Sequence, residues 1–87
     1  MKYEGFDLSG RSAIVTGAGT GIGKAIAVGL AQAGAAVALI GRRLEPLQET
    51  EKEVRANGGQ AFVLQGDIAN LEFQSRVVSQ TLARFAT

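Results

Sequence analysis

Three short runs of apolar residues alternate along the chain with segments whose apolar residues recur at helical spacing. The runs are Ser12–Thr16, Ala35–Ile40 and Gln60–Gln65. Because the first run is apolar and continuous instead of alternating with polar residues, it predicts a strand buried on both faces of a sheet, and the other two runs predict a second and a third strand. The resulting order, β-α-β-α-β-α, predicts an α/β fold with a parallel sheet and right-handed crossovers.

Turn-forming residues delimit the first two predicted helices. The first helix spans about Ile22 to Ala33, and Gly34 follows it where a C-cap glycine belongs. The apolar positions that mark this helix are Ile22, Ile26, Leu30 and Ala33. The second helix spans about Glu45 to Ala56 and ends at the sequence Asn-Gly-Gly.

The third helix is predicted to begin after Asn70, whose short polar side chain suits the N-cap position. This helix carries Phe73, Val77, Val78, Thr81, Leu82 and Phe85. In the second helix, Leu47 and Val54 are predicted to face the sheet. The polar, turn-rich residues 1–11 are expected to cross the edge of the domain ahead of the first strand.

Composition narrows the class of protein. The 87 residues suffice for one small domain, and 46% hydrophobic with 20% charged residues is typical of a globular chain. A formal charge of +1 argues against a nucleic-acid partner. Because the chain has no Cys and no His, no metal site is predicted. Without an apolar run of signal-peptide or membrane-spanning length, we expect a soluble, cytoplasmic protein with no membrane partner.

A cluster of glycines joins the first strand to the first helix. Small residues at such a turn let a pyrophosphate approach backbone N–H groups at the positive end of the helix dipole. Gly17 would make the tight turn, Gly21 would admit the ligand, and Gly23 would let the helix pack closely. The candidate binding residues here are Thr16, Gly17, Gly19, Thr20, Gly21, Ile22 and Gly23. A merely flexible turn is the alternative.

The spacing of this cluster resembles that of a known family. The glycines do not fit G-x-G-x-x-G, but residues 16–23 fit T-G-x-x-x-G-x-G, which resembles the short-chain dehydrogenase/reductase family. The opening Phe-Asp-Leu-Ser-Gly and the stretch Gly-Arg-Arg-Leu-Glu-Pro-Leu are also similar to that family. The resemblance implies a three-layer, Rossmann-like fold, present here as an incomplete half of a doubly wound domain. Residues 1–87 would be the N-terminal part of a single NAD(P)-binding domain whose catalytic part is absent.

The end of the second predicted strand bears on the choice of cofactor. In dinucleotide-binding sheets an acid at this place holds the ribose hydroxyls of NAD, whereas an Arg accommodates the 2′-phosphate of NADP. This chain has Arg42 and Arg43 here, and its next acidic residue is Glu45. A guanidinium can form paired, charge-assisted hydrogen bonds to a phosphate that a carboxylate would repel. We therefore predict NADP in preference to NAD, with Arg42 as the main contact and Arg43 as a second contact or a stacking surface for adenine. The alternative is that both are ordinary solvated loop charges.

A second match to the family follows the third strand. The segment is Gly-Asp-Ile over residues 66–68. The resemblance implies that the Asp67 carboxylate accepts a hydrogen bond from the adenine amino group and that Ile68 lies beside the ring. The alternative is that Asp67 bonds its own backbone in an Asx turn.

The resemblance also implies which catalytic groups a complete enzyme needs. These are a Tyr, a Lys four residues later and an upstream Ser. The only tyrosine is Tyr3, and the residue four positions later is Asp7. We therefore assign no catalytic residue and expect this chain alone to be inactive. The full-length relative would transfer hydride between a nicotinamide dinucleotide and a small alcohol or carbonyl substrate, and would be a homo-oligomer.

Two other functions fit parts of the pattern. A non-catalytic nucleotide-binding or partner-binding half-Rossmann module is the main alternative, because it needs only the first three strands and the glycine cluster. A different Rossmann-like enzyme, such as a methyltransferase, usually carries an acid at the end of its second strand. The Gly41-Arg42 sequence at that place argues against this class.

Overall fold

A computed structural model describes residues 8–85; residues 1–7, which include most of the predicted leader, and residues 86–87 lie outside the described range. The elements are β1 (Ser12–Thr16), α1 (Gly21–Gln32), β2 (Ala36–Gly41), α2 (Leu44–Ala56), β3 (Gln60–Gln65) and α3 (Leu71–Phe85). The predicted order is confirmed, and the observed bounds lie within one residue of those predicted. Within residues 8–85, no helix is long and apolar enough to cross a membrane.

The three strands form one parallel sheet in which β2 lies between β1 and β3. In this register Ile40 of β2 is opposite Thr16 of β1 and Leu64 of β3. Because parallel strands run in one direction, their carboxyl ends lie at the same edge of the sheet. The three loops that leave β1, β2 and β3 therefore begin side by side.

Side chains of β2 are buried on both faces of the sheet, whereas β1, for which burial on both faces was predicted, buries Val15 but leaves Ile14 42% exposed. Val37 and Leu39 belong to a core that includes residues of α1 and α2, whereas Ala38 and Ile40 pack with Phe73 and other residues of α3. All four β2 side chains are fully buried. The sheet thus has α1 and α2 on one face and α3 on the other, which makes three layers.

The apolar stripe that marked α1 in the sequence is buried only in part. Its later members Leu30 and Ala33 pack on or belong to the core, whereas Ile22 is 80% exposed and Ile26 is 49% exposed. Ala27, which is outside the stripe, is fully buried. The first turn of α1 approaches the glycine cluster closely. In α2, by contrast, Leu47 and Val54 are buried as predicted.

The helix ends form the capping structures that the sequence indicated. At the end of α1, Gly34 has φ +107°, its N–H donates to Ala31, and the N–H of Ala35 donates to Leu30. These two bonds define a Schellman motif. At the start of α3, Asn70 Oδ1 accepts a hydrogen bond of 2.9 Å from the Phe73 N–H, which confirms the predicted N-cap.

The buried residue Ala18 holds the glycine cluster between β2 and α2. Its N–H donates to the Ile40 carbonyl at 3.2 Å, and its own carbonyl accepts a bond of 2.9 Å from the Thr50 hydroxyl. Thr50 is fully buried, and its hydroxyl also lies 3.1 Å from the Pro46 carbonyl of its own helix. The loop after β1 is therefore fixed by tertiary hydrogen bonds in addition to its glycines.

Replacing Thr50 with Val should lower the free energy of unfolding by about 1–3 kcal/mol, because the buried Ala18 carbonyl loses its side-chain donor while the volume stays the same. Thr81→Val is the matched control. Thr81 is also buried, but its hydroxyl reaches only the Val77 carbonyl of its own helix. Urea denaturation of both variants measures the difference, and equal losses would contradict the assigned role of Thr50.

Candidate functional site

A cavity of about 380 Å³ opens at the carboxyl edge of the sheet, where the loops after β1, β2 and β3 meet. The predicted site residues that line it are Thr16, Gly17, Gly19, Thr20, Arg42, Arg43, Asp67 and Ile68. The lining residues that were not predicted are Ile40, Gly41, Pro46, Leu47 and Gly66. The parallel sheet thus brings together groups that are up to 52 positions apart, from position 16 to position 68.

The loop after β1 requires glycine for two different reasons. Gly17 and Gly21 have φ values of +63° and +56°, a left-handed conformation that other residues adopt only with strain. Gly23 has an ordinary backbone, but a Cβ there would overlap the carbonyl oxygen of Gly17. The first turn of α1 therefore packs directly on the loop that precedes it.

The N-terminus of α1 presents backbone donors at this loop. Thr20 occupies the N-cap position, but its side chain makes no capping hydrogen bond, and the first turn contains no acidic residue. The first N–H groups of a helix have no partner within the helix. Together with the helix dipole, they form a binding surface suited to an anion.

Three of the predicted residues do not line the cavity. Gly21 and Gly23 lie in the first turn of α1, where they contribute backbone and no side chain. Ile22 instead borders an apolar groove of about 410 Å³ on the outer side of α1. The other residues of that groove are Leu8, Ala25, Ile26, Gly29, Leu30 and Ala33.

Arg42 combines a fixed main chain with an exposed side chain. Its carbonyl accepts a bond of 3.0 Å from Gln65 Nε2, and the neighbouring Gly41 carbonyl accepts one of 2.8 Å from the Gly66 N–H. The Arg42 side chain is 78% exposed. The next residue, Arg43, is the N-cap of α2 and makes no side-chain capping bond.

Asp67 makes two contacts through the same carboxylate oxygen. Its Oδ1 accepts a bond of 2.9 Å from the Ala69 N–H, and this bond forms the Asx turn named above as the alternative. The same oxygen lies 3.5 Å from Arg42 Nη2. The bond from the Ala69 N–H is the largest cause and lowers the pKa of Asp67; desolvation opposes it to a lesser extent, and the nearby Arg42 makes a still smaller contribution that also lowers the pKa. Asp67 is therefore an ionised acceptor at neutral pH.

Sequence reasoning missed two residues that shape the site. Thr50 lies on the same face of α2 as Leu47 and Val54, so the helical spacing could have predicted its burial. Its bond to Ala18, 32 positions away, could not be predicted in this way. Gln65 ends β3 and reaches the Arg42 carbonyl across 23 positions. No pattern in the sequence marks that contact.

A parallel sheet with helices on both faces and a glycine loop after its first strand defines a Rossmann-like α/β protein. Residues 11–87 match the family model of the short chain dehydrogenases. The chain therefore belongs to the short-chain dehydrogenase family.

Individual relatives agree with this assignment. The chain is 42% identical to a short chain dehydrogenase of Pseudocercospora fijiensis, with 94% of this chain and 26% of the relative covered. It is 37% identical to versicolorin reductase 1 of Aspergillus parasiticus, with 90% and 30% covered. The solved citronellol catabolism dehydrogenase of Pseudomonas aeruginosa superposes with a TM-score of 0.89 at 36% identity, covering 98% of this chain and 36% of that one. The chain thus spans about a quarter to a third of the length of these relatives.

Arg42→Ala should raise the pKa of Asp67, because a cation that favours the carboxylate is removed. The pKa should nevertheless stay below its ordinary value, since the Ala69 N–H, which is the larger cause, remains. Carbon-13 NMR titration of the carboxyl group measures both effects. Arg43→Ala is the control and should leave this pKa unchanged; an equal shift in both variants would contradict the Arg42 contact.

Proposed function

We propose that this chain binds the adenosine and pyrophosphate part of NADP for an oxidoreductase that interconverts alcohols and carbonyl compounds. Membership of the short-chain dehydrogenase family implies a nicotinamide dinucleotide cofactor. The observation that carries the choice of NADP is that Arg42 and Arg43 line the same cavity as the glycine loop. A carboxylate would be expected at this strand end for NAD.

The residues at the cavity fit a dinucleotide phosphate. The uncapped first turn of α1 supplies N–H donors for a pyrophosphate, and Gly17 and Gly21 leave the backbone accessible there. Arg42 supplies a guanidinium for the 2′-phosphate. In the same cavity, Asp67 is an acceptor for the adenine amino group and Ile68 supplies an apolar surface beside the ring.

In this proposal the chain binds and orients the cofactor but does not move the substrate proton. A bound nicotinamide dinucleotide supplies or accepts the hydride. Residues 1–87 would form the N-terminal, cofactor-binding part of a single NAD(P)-binding domain, because no Tyr-x-x-x-Lys occurs among them. The names of the relatives, which include a reductase and a dehydrogenase of citronellol catabolism, are consistent with an alcohol or carbonyl substrate. The substrate, a homo-oligomeric assembly and a cytoplasmic location remain predictions.

The chain should bind NADPH more tightly than NADH, and Arg42→Ala should remove most of that difference. Loss of charge-assisted bonds to a phosphate is expected to weaken NADPH binding about 10-fold or more, with little effect on NADH. Fluorescence titration measures both affinities. Lys52→Ala, which removes an exposed charge from α2 outside the cavity, should change neither. Equal affinity of the unmodified chain for the two nucleotides would refute the NADP assignment.

We also predict that this chain alone does not oxidise NADPH with carbonyl compounds, because it lacks the acid that protonates the product. Loss of NADPH absorbance is the measurement. Turnover that survives purification under denaturing conditions and disappears in Arg42→Ala would contradict the prediction. Fusion to the remaining part of a relative's chain should restore turnover, whereas a non-catalytic nucleotide-binding module would stay inactive.

A further inference from the structure

Two residues expected on different parts of the cofactor contact each other in the free chain. Arg42 Nη2 lies 3.5 Å from Asp67 Oδ1, and both side chains line the cavity. The proposed function, on which this inference rests, assigns Arg42 to the 2′-phosphate and Asp67 to the adenine. The ion pair therefore occupies the guanidinium that the phosphate would need.

The contact constrains the side chain of Arg42 and not its main chain. The bonds from Gln65 Nε2 to the Arg42 carbonyl and from the Gly66 N–H to the Gly41 carbonyl attach this loop to the end of β3. The Arg42 side chain is 78% exposed and that of Asp67 is 51% exposed. A change of partner thus requires rotation of a solvated side chain on a fixed backbone.

We propose that Arg42 exchanges partners, from the Asp67 carboxylate in the free chain to the 2′-phosphate when NADP binds, and that Asp67 thereby restrains the preference for NADP. A phosphate carries more charge than a carboxylate and accepts a paired set of bonds from a guanidinium. Asp67 retains the Ala69 N–H when Arg42 leaves. With NAD, which has no 2′-phosphate, the pair stays intact.

Asp67→Asn separates this role of Asp67 from its contact with adenine. The amide oxygen of Asn can still accept bonds from Ala69 and from an adenine amino group, so any effect on adenine is common to both nucleotides. Release of Arg42 from Asp67 should strengthen the binding of NADPH alone, because NADH has no 2′-phosphate. We expect the ratio of NADPH to NADH affinity to rise about two- to five-fold, since the exposed pair is weak.

Repulsion between the Asp67 charge and the phosphate would produce the same change without any exchange. A double-mutant cycle distinguishes the two. If Asp67 acts by occupying Arg42, Asp67→Asn should change the affinity ratio in the unmodified chain and leave it unchanged in the Arg42→Ala background. A change of equal size in both backgrounds would overturn the proposal.

A pair of glutamine variants tests whether the fixed main chain matters. Gln65→Ala removes the bond to the Arg42 carbonyl and should lower the affinity ratio two-fold or more. Gln74→Ala is the matched control, because Gln74 Nε2 donates a similar bond of 2.7 Å to the Ile68 carbonyl but none to Arg42. It should leave the ratio unchanged. The same ratio in both glutamine variants would refute the role of Gln65.

The experiment is a set of NADPH and NADH titrations of the 87-residue chain and these variants, each checked first for native circular dichroism. If the unmodified chain shows no preference for NADPH, the proposed function fails and the exchange fails with it. If Arg42→Ala abolishes a preference that Asp67→Asn does not raise, the proposed function stands and only the exchange is overturned.

Discussion

The parallel hydrogen bonding of β2 to both neighbouring strands is the interaction on which the rest of the structure depends. It satisfies the backbone of a strand whose side chains, from Val37 to Ile40, are fully buried on both faces. It also aligns the carboxyl ends of all three strands at one edge. The glycine loop, Arg42 and Asp67 share a cavity only because of that alignment.

The shape of the glycine loop follows from this pairing as much as from its glycines. The end of β2 supplies the carbonyl that binds the Ala18 N–H, and α2, which begins just beyond that strand, supplies Thr50. Positive φ angles make the loop possible, but they do not select one conformation. The buried bonds at Ala18 do so, because leaving either backbone group unpaired inside the core would cost free energy.

The electrostatics of the cavity join a structural contact and a proposed binding role in one residue. Asp67 stabilises its own loop through Ala69 and contacts Arg42 with the same oxygen. The Asx-turn alternative is thus observed, and it is compatible with a ligand contact because a carboxylate has two oxygens and several lone pairs. Arg42 is likewise exposed to solvent and paired with Asp67. Its exposure as a loop charge is therefore compatible with the proposed contact to a ligand.

The sequence by itself determined the element order, the helix caps at Gly34 and Asn70, and the need for glycine at positions 17 and 23. These features depend on residues close together in the chain, where hydrophobic period and backbone preference act directly. Only the tertiary structure decided that Ile22, at the start of the α1 stripe, is exposed and that Ala27, which lies outside it, is buried. It also decided the bond from Gln65 and the pairing of Arg42, since contacts between residues more than 20 positions apart depend on how strands align and how closely helices approach them.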